Sequence, residues 1–105
     1  MDGISASMSG INVAAQSYAL SANNVANVNS SGYQAKTLQQ QPLAQGGVQA
    51  TGIQTDTTPG VPGGSNVDLA TEAVNQTTQG AGYQADLKFL QVQQSLLGTA
   101  LDMKA

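Results

Sequence analysis

Apolar residues recur at a regular spacing along the first part of the chain. The gaps between them run 4, 3, 4, 3, 4 and 3 residues. This is the narrow a/d pattern of helices that pack against other helices, rather than the wider stripe of an ordinary surface helix. It predicts a helix over about residues 3–28. We call its apolar positions the first apolar row: Ile4, Met8, Ile11, Ala15, Tyr18, Ala22 and Val25.

A polar run then ends this predicted helix. Asn and Ser compete with the helical backbone through their side chains, and Gly32 can adopt the left-handed conformation that closes a helix. The amide residues of the run either form a soluble helix face or pack against similar helices, where buried amide hydrogen bonds fix the register. These residues are Asn23, Asn24, Asn27 and Asn29, with Tyr33 following the glycine.

The same spacing returns near the end of the chain, where the gaps run 4, 3, 4, 3 and 4. It predicts a second helix over about residues 66–103, and its packing positions form the second apolar row: Tyr83, Leu87, Leu90, Gln94, Leu97 and Leu101. Two rows at opposite termini predict a hairpin that pairs the N-terminus with the C-terminus. With Leu101 level with Ile4, the first part of the second helix would extend beyond the first helix.

The helical period disappears over about residues 33–64. Tyr33–Gln41 and Val48–Thr55 are candidate strands of a loose β-hairpin or extended arm, and a disordered loop is the alternative. Ser65–Asp68 then matches the S-x-x-D signature of a helix start. We therefore predict a single, mainly α domain over residues 1–105. Its two long terminal helices form an antiparallel coiled-coil-like hairpin with a short irregular or β-hairpin middle segment.

Composition argues against an enzyme. The chain contains neither cysteine nor histidine, which removes thiolate nucleophiles, the usual zinc sites and the commonest general base. No sequence signature of nucleotide binding is present. Asp68 and Glu72 are four residues apart, but two carboxylates alone make a poor cation site, and a role at the start of the helix already accounts for them. We expect no catalytic residue, no metal and no cofactor.

Charge and hydropathy limit the partners further. Three lysines and no arginine cannot supply the roughly 6–10 phosphate contacts of a strongly salt-dependent duplex binder. The N-terminus lacks the positive and apolar segments of a signal peptide, and no stretch approaches the length of a membrane span. We therefore expect neither nucleic-acid binding, membrane insertion nor a cleaved signal peptide.

The predicted core is thin for an isolated monomer. Ordering the whole chain costs roughly 150 kcal/mol, at about 1.5 kcal/mol per residue. Burying a large aliphatic side chain returns only about 1.5–3 kcal/mol, and Ala15 and Ala22 occupy two positions of the first apolar row. We therefore expect neighbouring chains to supply the missing stability in a homo-oligomer.

The N-terminal residues resemble a known family. Ser9–Asn12, followed by Ala22–Tyr33, is similar to the N-terminal signature of the bacterial flagellar rod and hook proteins, in which a helix ends in a pattern like A-N-N-(I/V)-A-N-x-N-T-x-G-Y. At the other end, Asn66–Asn75, Tyr83–Lys88 and Leu96–Asp102 resemble that family's closing helix. The central segment looks most like that of the proximal rod proteins, although it is shorter and Asp86 stands where the family usually has Asn.

The resemblance implies a structural subunit of the flagellar basal-body rod without catalysis. Such proteins leave the cell unfolded through the flagellar export apparatus and stack helically with themselves and other flagellar axial proteins. In that interpretation the two apolar rows carry packing within or between chains, and Asn23–Tyr33 forms a turn at a subunit contact. The alternative, from a different class, is a small helical-hairpin adaptor that recognises one partner helix.

Overall fold

The chain folds into two helices and a β-hairpin. A computed structural model describes residues 2–44 and 46–104, with side-chain environments for residues 4–44 and 46–99. The elements in chain order are α1 (Asp2–Ala26), β1 (Lys36–Pro42), β2 (Val48–Thr55) and α2 (Leu69–Lys104). The predicted helices and the predicted hairpin are confirmed, with α1 ending and α2 beginning within three residues of the predicted bounds.

The two helices run in opposite directions along each other. Ser7, near the start of α1, donates a hydrogen bond to Gln93 Oε1 in the second half of α2 at 3.3 Å. Ser21, near the end of α1, lies instead beside the start of α2, at Glu72. The result is an elongated molecule measuring 67 × 23 × 14 Å, with a radius of gyration of 18.0 Å, compared with about 13 Å for a compact chain of this length.

The register of the helix pair differs from the predicted one. Gly10 faces Asp86, and Asn24 contacts Glu72 near the start of α2, so the early part of α2 lies alongside α1 instead of extending beyond it. The end of α2 extends past the N-terminus of α1. The prediction was wrong because it aligned the apolar rows. The register is set instead by polar contacts between the end of α1 and the start of α2, which are the two helix ends that the β-hairpin connects.

Small and polar residues form the interface between the helices. On α1 this inner face also follows heptad gaps and carries Ser7, Gly10, Ala14, Ser17, Ser21 and Asn24; on α2 it carries four polar residues spaced seven apart, Glu72, Gln79, Asp86 and Gln93. A Cβ added at Gly10 would lie 2.5 Å from Asp86 Oδ2, so the glycine makes room for the carboxylate of α2. This inner face is distinct from the two apolar rows, whose packing within or between chains stays a prediction.

The β-hairpin covers α1 on another face. Its antiparallel strands pair from Lys36 opposite Thr55 to Pro42 opposite Val48, with a bulge after Gln39. The amide of Val48 donates to Ser9 Oγ in α1 at 3.1 Å. Gly47 has a φ of 91°, and its turn approaches α1 so closely that an added Cβ would lie 3.2 Å from the Ala6 Cα atom.

Very little apolar surface is buried by this arrangement. Among residues 4–44 and 46–99, Val13 is the one hydrophobic side chain classed as buried, at 6% exposure, whereas many large apolar side chains are exposed. The accessible surface is 7021 Å², compared with about 5,500 Å² for a compact monomer of this mass. The structure agrees with the expectation of a thin core.

Over residues 2–44 and 46–104, neither helix combines the length and hydropathy of a membrane span.

Candidate functional site

A cluster of buried and half-buried polar side chains joins both helices to the base of the β-hairpin. We call it the polar joint: Ser21, Asn24, Tyr33, Ser65, Asn66 and Glu72. Asn24 is its centre and is 2% exposed. Its Nδ2 donates to the Lys36 carbonyl oxygen at 2.8 Å and to Glu72 Oε1 at 3.0 Å, and its Oδ1 accepts from the Tyr33 hydroxyl at 2.9 Å and the Lys36 amide at 3.0 Å. One side chain thus fixes α1, β1 and α2 together.

Two residues of the connector, the segment between β2 and α2 (residues 56–68), complete the polar joint. Ser65 Oγ donates to the Val28 carbonyl oxygen at 2.6 Å, which connects it to the segment after α1. Asn66 Oδ1 accepts from the Ala35 amide at 2.7 Å, and its Nδ2 donates to the Asp56 carbonyl oxygen at 2.8 Å. The connector is therefore held on both sides of the hairpin base, in agreement with the rule that buried polar groups find partners.

The environment of the polar joint disfavours a charge on its tyrosine. Burial, and next the Glu72 carboxylate, raise the pKa of the Tyr33 hydroxyl above its ordinary value. The neutral hydroxyl is the form that donates to Asn24. The Lys36 ammonium lies 5.1 Å from the centre of the Tyr33 ring, which is within the range of a cation–π contact.

Glu72 and Asp68 have different roles, although both were predicted to lie at the start of the second helix. Asp68 precedes α2, and its Oδ1 accepts from the amides of Ala70 at 3.0 Å and Thr71 at 3.4 Å, as an N-cap residue does. Glu72 is only 5% exposed and accepts from Asn24. The carboxylates therefore serve the fold, and no group of three or more acidic, Cys or His residues that could hold a metal occurs in the described part of the chain.

The predicted Asn and Gly turn divides into a buried and an exposed part. Asn24 and Tyr33 belong to the polar joint, whereas Asn27 donates to Asn23 Oδ1 at 2.7 Å on the exposed side. Asn29 is exposed. Gly32 has a φ of 75°, in the left-handed region that favours glycine, and its amide donates to the Gly64 carbonyl oxygen at 2.9 Å.

The first apolar row lies on the free face of α1. Tyr18 in its middle is 47% exposed. Ser9, which contacts the hairpin, is nine residues from Tyr18, or about two and a half helical turns, so the hairpin and the row lie on opposite faces of α1. The other exposed members of the row are Met8, Ala15, Ala22 and Val25, and Ile4 and Ile11 are half-buried.

The second apolar row is partly covered and partly exposed. Leu87 and Leu90 are half-buried, whereas Tyr83, Gln94 and Leu97 are exposed. The side chain of Leu101 lies outside the described residues. The two rows thus border the same side of the helix pair instead of filling its interior.

An open groove lies between the helices on this side. We call it the Tyr groove, with a volume of about 360 Å³. Small residues form its floor, and the two tyrosines, one from each row, flank it. Its lining is Ala14, Ala15, Tyr18, Gln79, Gly80, Tyr83 and Gln84.

The sequence prediction missed a further apolar surface on α2. Phe89, Val92 and Leu96 are all more than half exposed, with Leu96 at 65%. We call them the outer stripe. Their gaps of 3 and 4 residues are the same helical signal as in the second apolar row, but they follow Leu87, Leu90 and Gln94 by two positions each, which places them about 160° round the helix. The spacing was therefore readable from the sequence, although its position outside the helix pair was not.

Comparison with known proteins does not assign a function, so the evidence for one comes from the structure and the sequence motifs. No protein-family model matches this sequence, and no curated protein is significantly similar to it. The candidate site accordingly consists of two apolar surfaces, the side with the Tyr groove and the outer stripe. Both lie on a helix pair that polar contacts within the chain hold together.

Proposed function

We propose that this chain is a structural subunit, not an enzyme, that self-assembles through its terminal helices as part of the bacterial flagellar basal-body rod. The observation that carries the proposal is the inverted distribution of side chains. Polar and small residues pair the helices within the chain, while the outer stripe and all of the first apolar row except Ile4 and Ile11 are exposed. Exposed apolar patches of this kind mark interaction sites.

The spacing of these surfaces favours other helices as the partners. Heptad gaps place apolar side chains along a narrow seam, which a second helix covers by knobs-into-holes packing. We therefore assign coiled-coil-like packing to contacts between neighbouring copies, with the polar joint holding each subunit in a fixed shape. The partners are other copies of this chain and, in the rod, other axial proteins.

The flagellar assignment itself rests on the sequence resemblance. The run Ala22–Tyr33 and the closing segments of α2 support it. The proposal includes export through the flagellar apparatus and a location in the periplasm-spanning rod. In this proposal the exposed Asn23 and Asn29 and the half-buried Asn27 contact a neighbouring subunit, whereas Asn24 and Tyr33 act within the chain.

The first test is light scattering coupled to size exclusion over a concentration series, with circular dichroism on the same samples. We expect mass and helicity to rise together, because assembly adds the burial that the monomer lacks. A dilute, fully helical and sharply melting monomer would contradict the self-assembly proposal. Flagellar basal bodies isolated from the native bacterium test the location, and absence of the chain from them would remove the rod assignment alone.

A second candidate is an adaptor that binds one helix of a different protein. The Tyr groove favours this candidate, because the groove is apolar and open, and because a tyrosine from each helix borders it, as in grooves that bind a partner helix. The same concentration series separates the two candidates. An adaptor stays monomeric and ordered at every concentration, whereas a rod subunit does not.

A further inference from the structure

We propose that the contact between copies is heterologous, with the outer stripe of one copy seated in the Tyr groove of the next. This inference rests on the proposed function, because it names the surfaces through which the chain self-assembles. It follows from the positions, shapes, chemistry and total area of the two surfaces.

The two surfaces lie on opposite sides of α2. Tyr83 borders the Tyr groove and Val92 lies in the outer stripe. They are nine residues apart, or about two and a half turns of an α-helix, which places them on opposite faces. The outer stripe of a copy therefore cannot occupy the groove of the same copy, and only a second molecule can bring the two together.

The shapes of the surfaces are complementary. Ala14, Ala15 and Gly80 line the Tyr groove with little side-chain bulk, so the surface there is concave. The outer stripe carries large side chains that project from a single helix. Two grooves facing each other would leave a gap between two floors of small residues, whereas a stripe in a groove fills it, and contacts at a close-packed interface depend on that filling.

The chemistry of the surfaces is also compatible. The lining of the Tyr groove contains no Asp, Glu, Lys or Arg, so an apolar stripe entering it leaves no charge without water or a partner. Lys88 borders the outer stripe and can keep its ammonium in water while the stem packs alongside. The contact is therefore apolar in its centre and polar at its edge, as specific interfaces are.

The exposed area matches two such faces on each copy. The accessible surface of 7021 Å² exceeds that of a compact monomer of this mass by roughly 1,500 Å². A standard interface buries about 800 Å² on each partner, so an excess of this size is large enough for two faces. A two-fold dimer uses one face per copy, whereas a heterologous contact uses two and generates an open chain or a ring.

Two single variants and their mixture test the pairing. Tyr18→Glu disrupts the Tyr groove and Val92→Glu disrupts the outer stripe, and both side chains are already exposed, which spares the fold. Each variant alone should associate at least about tenfold more weakly than the wild type, because a carboxylate would be buried in the contact. Mixed in equal amounts, they should form a dimer and nothing larger, since each keeps the surface that the other has lost.

Sedimentation and circular dichroism give distinct readouts for each arrangement. Val61→Glu, on the exposed connector, is the matched control and should associate like the wild type. If Tyr18→Glu alone still dimerises, the stripes pair with each other; if Val92→Glu alone still dimerises, the grooves do; either result overturns the heterologous contact. Full association of both variants would exclude these surfaces altogether. A wild type that is monomeric at every concentration would instead contradict the proposed function itself.

Discussion

The substitution Asn24→Ala tests whether the polar joint holds the helices and the hairpin together. Asn24 is 2% exposed and joins its own helix to β1 through Lys36, to α2 through Glu72 and to the segment before β1 through Tyr33. Alanine removes both the donor and the acceptor of the amide. The Lys36 amide and carbonyl and the Glu72 carboxylate then lose a partner in a region from which water is largely excluded.

The expected loss is large for a protein of this size. Each buried polar group left without a partner costs about 1–3 kcal/mol, and a charged one more. Alanine regains about 0.7 kcal/mol of helix propensity at most. We expect the free energy of unfolding to fall by about 3–5 kcal/mol, in line with the cost of breaking a buried polar contact on one side. A domain of this length has only about 5–15 kcal/mol in total.

Urea unfolding of wild type and variant at one matched concentration, high enough for the helices to be formed, measures this loss when followed by circular dichroism. Asn23→Ala is the matched control, because Asn23 is the exposed neighbour in the same helix, and its effect should stay within about 0.5 kcal/mol. A cycle with Glu72→Ala should give a coupling of about 0.5–3 kcal/mol, since the two side chains are in contact. The reasoning fails if Asn24→Ala and Asn23→Ala unfold at the same urea concentration.

Three further outcomes follow from the structure. Gly60→Ala should cost about 1–3 kcal/mol by overpacking, because its Cβ would lie 2.5 Å from the Ser65 carbonyl oxygen. Gly64→Ala is the control, since a Cβ there meets nothing closer than 3.7 Å. Equal urea midpoints for the two variants would contradict the expectation. The folded pKa of Tyr33 is raised above 10.0. The stability that its neutral hydroxyl adds is therefore complete below pH 10.0 and is lost as the pH rises through the raised value. Tyr33→Phe should lower stability at neutral pH but flatten the alkaline decline, which urea midpoints along a pH series measure. Asp68→Ala should cost about 1 kcal/mol through the lost cap, visible as a lower thermal midpoint, and an unchanged midpoint would show that the cap contributes nothing.

The elements were predictable because each has a local signal. Heptad gaps predicted both helices, the Asn-rich run with Gly32 predicted the end of α1, and the loss of the helical period predicted the middle segment with its two candidate strands. These signals act through backbone conformation and neighbouring side chains, so a single stretch of sequence contains them. The helix bounds are accordingly close to the predicted ones.

The pairing of the helices was not predictable from the same signals. α1 has two heptad faces, one apolar and one small and polar, and the apolar face is the natural choice if burial alone decides. The choice depends instead on Asn24 and Glu72, which are 48 positions apart. Nothing near Glu72 in the sequence indicates that its carboxylate is buried, because ionisable residues are seldom fully buried without a specific partner.

The inverted packing also bears on how a rod subunit would be made. A helix pair that is joined by small residues and hydrogen bonds gains little from burial, since a hydrogen bond adds only about 0.5–1.5 kcal/mol net. Such a monomer unfolds easily, which suits a chain that must pass unfolded through an export apparatus. In the proposed assembly the exposed part of the first apolar row would be open to a neighbour, and binding to the folded form would stabilise that form by mass action. On this argument the low stability of the isolated chain and the strength of the assembly have one cause, which is that the apolar face of α1 is left for a neighbour.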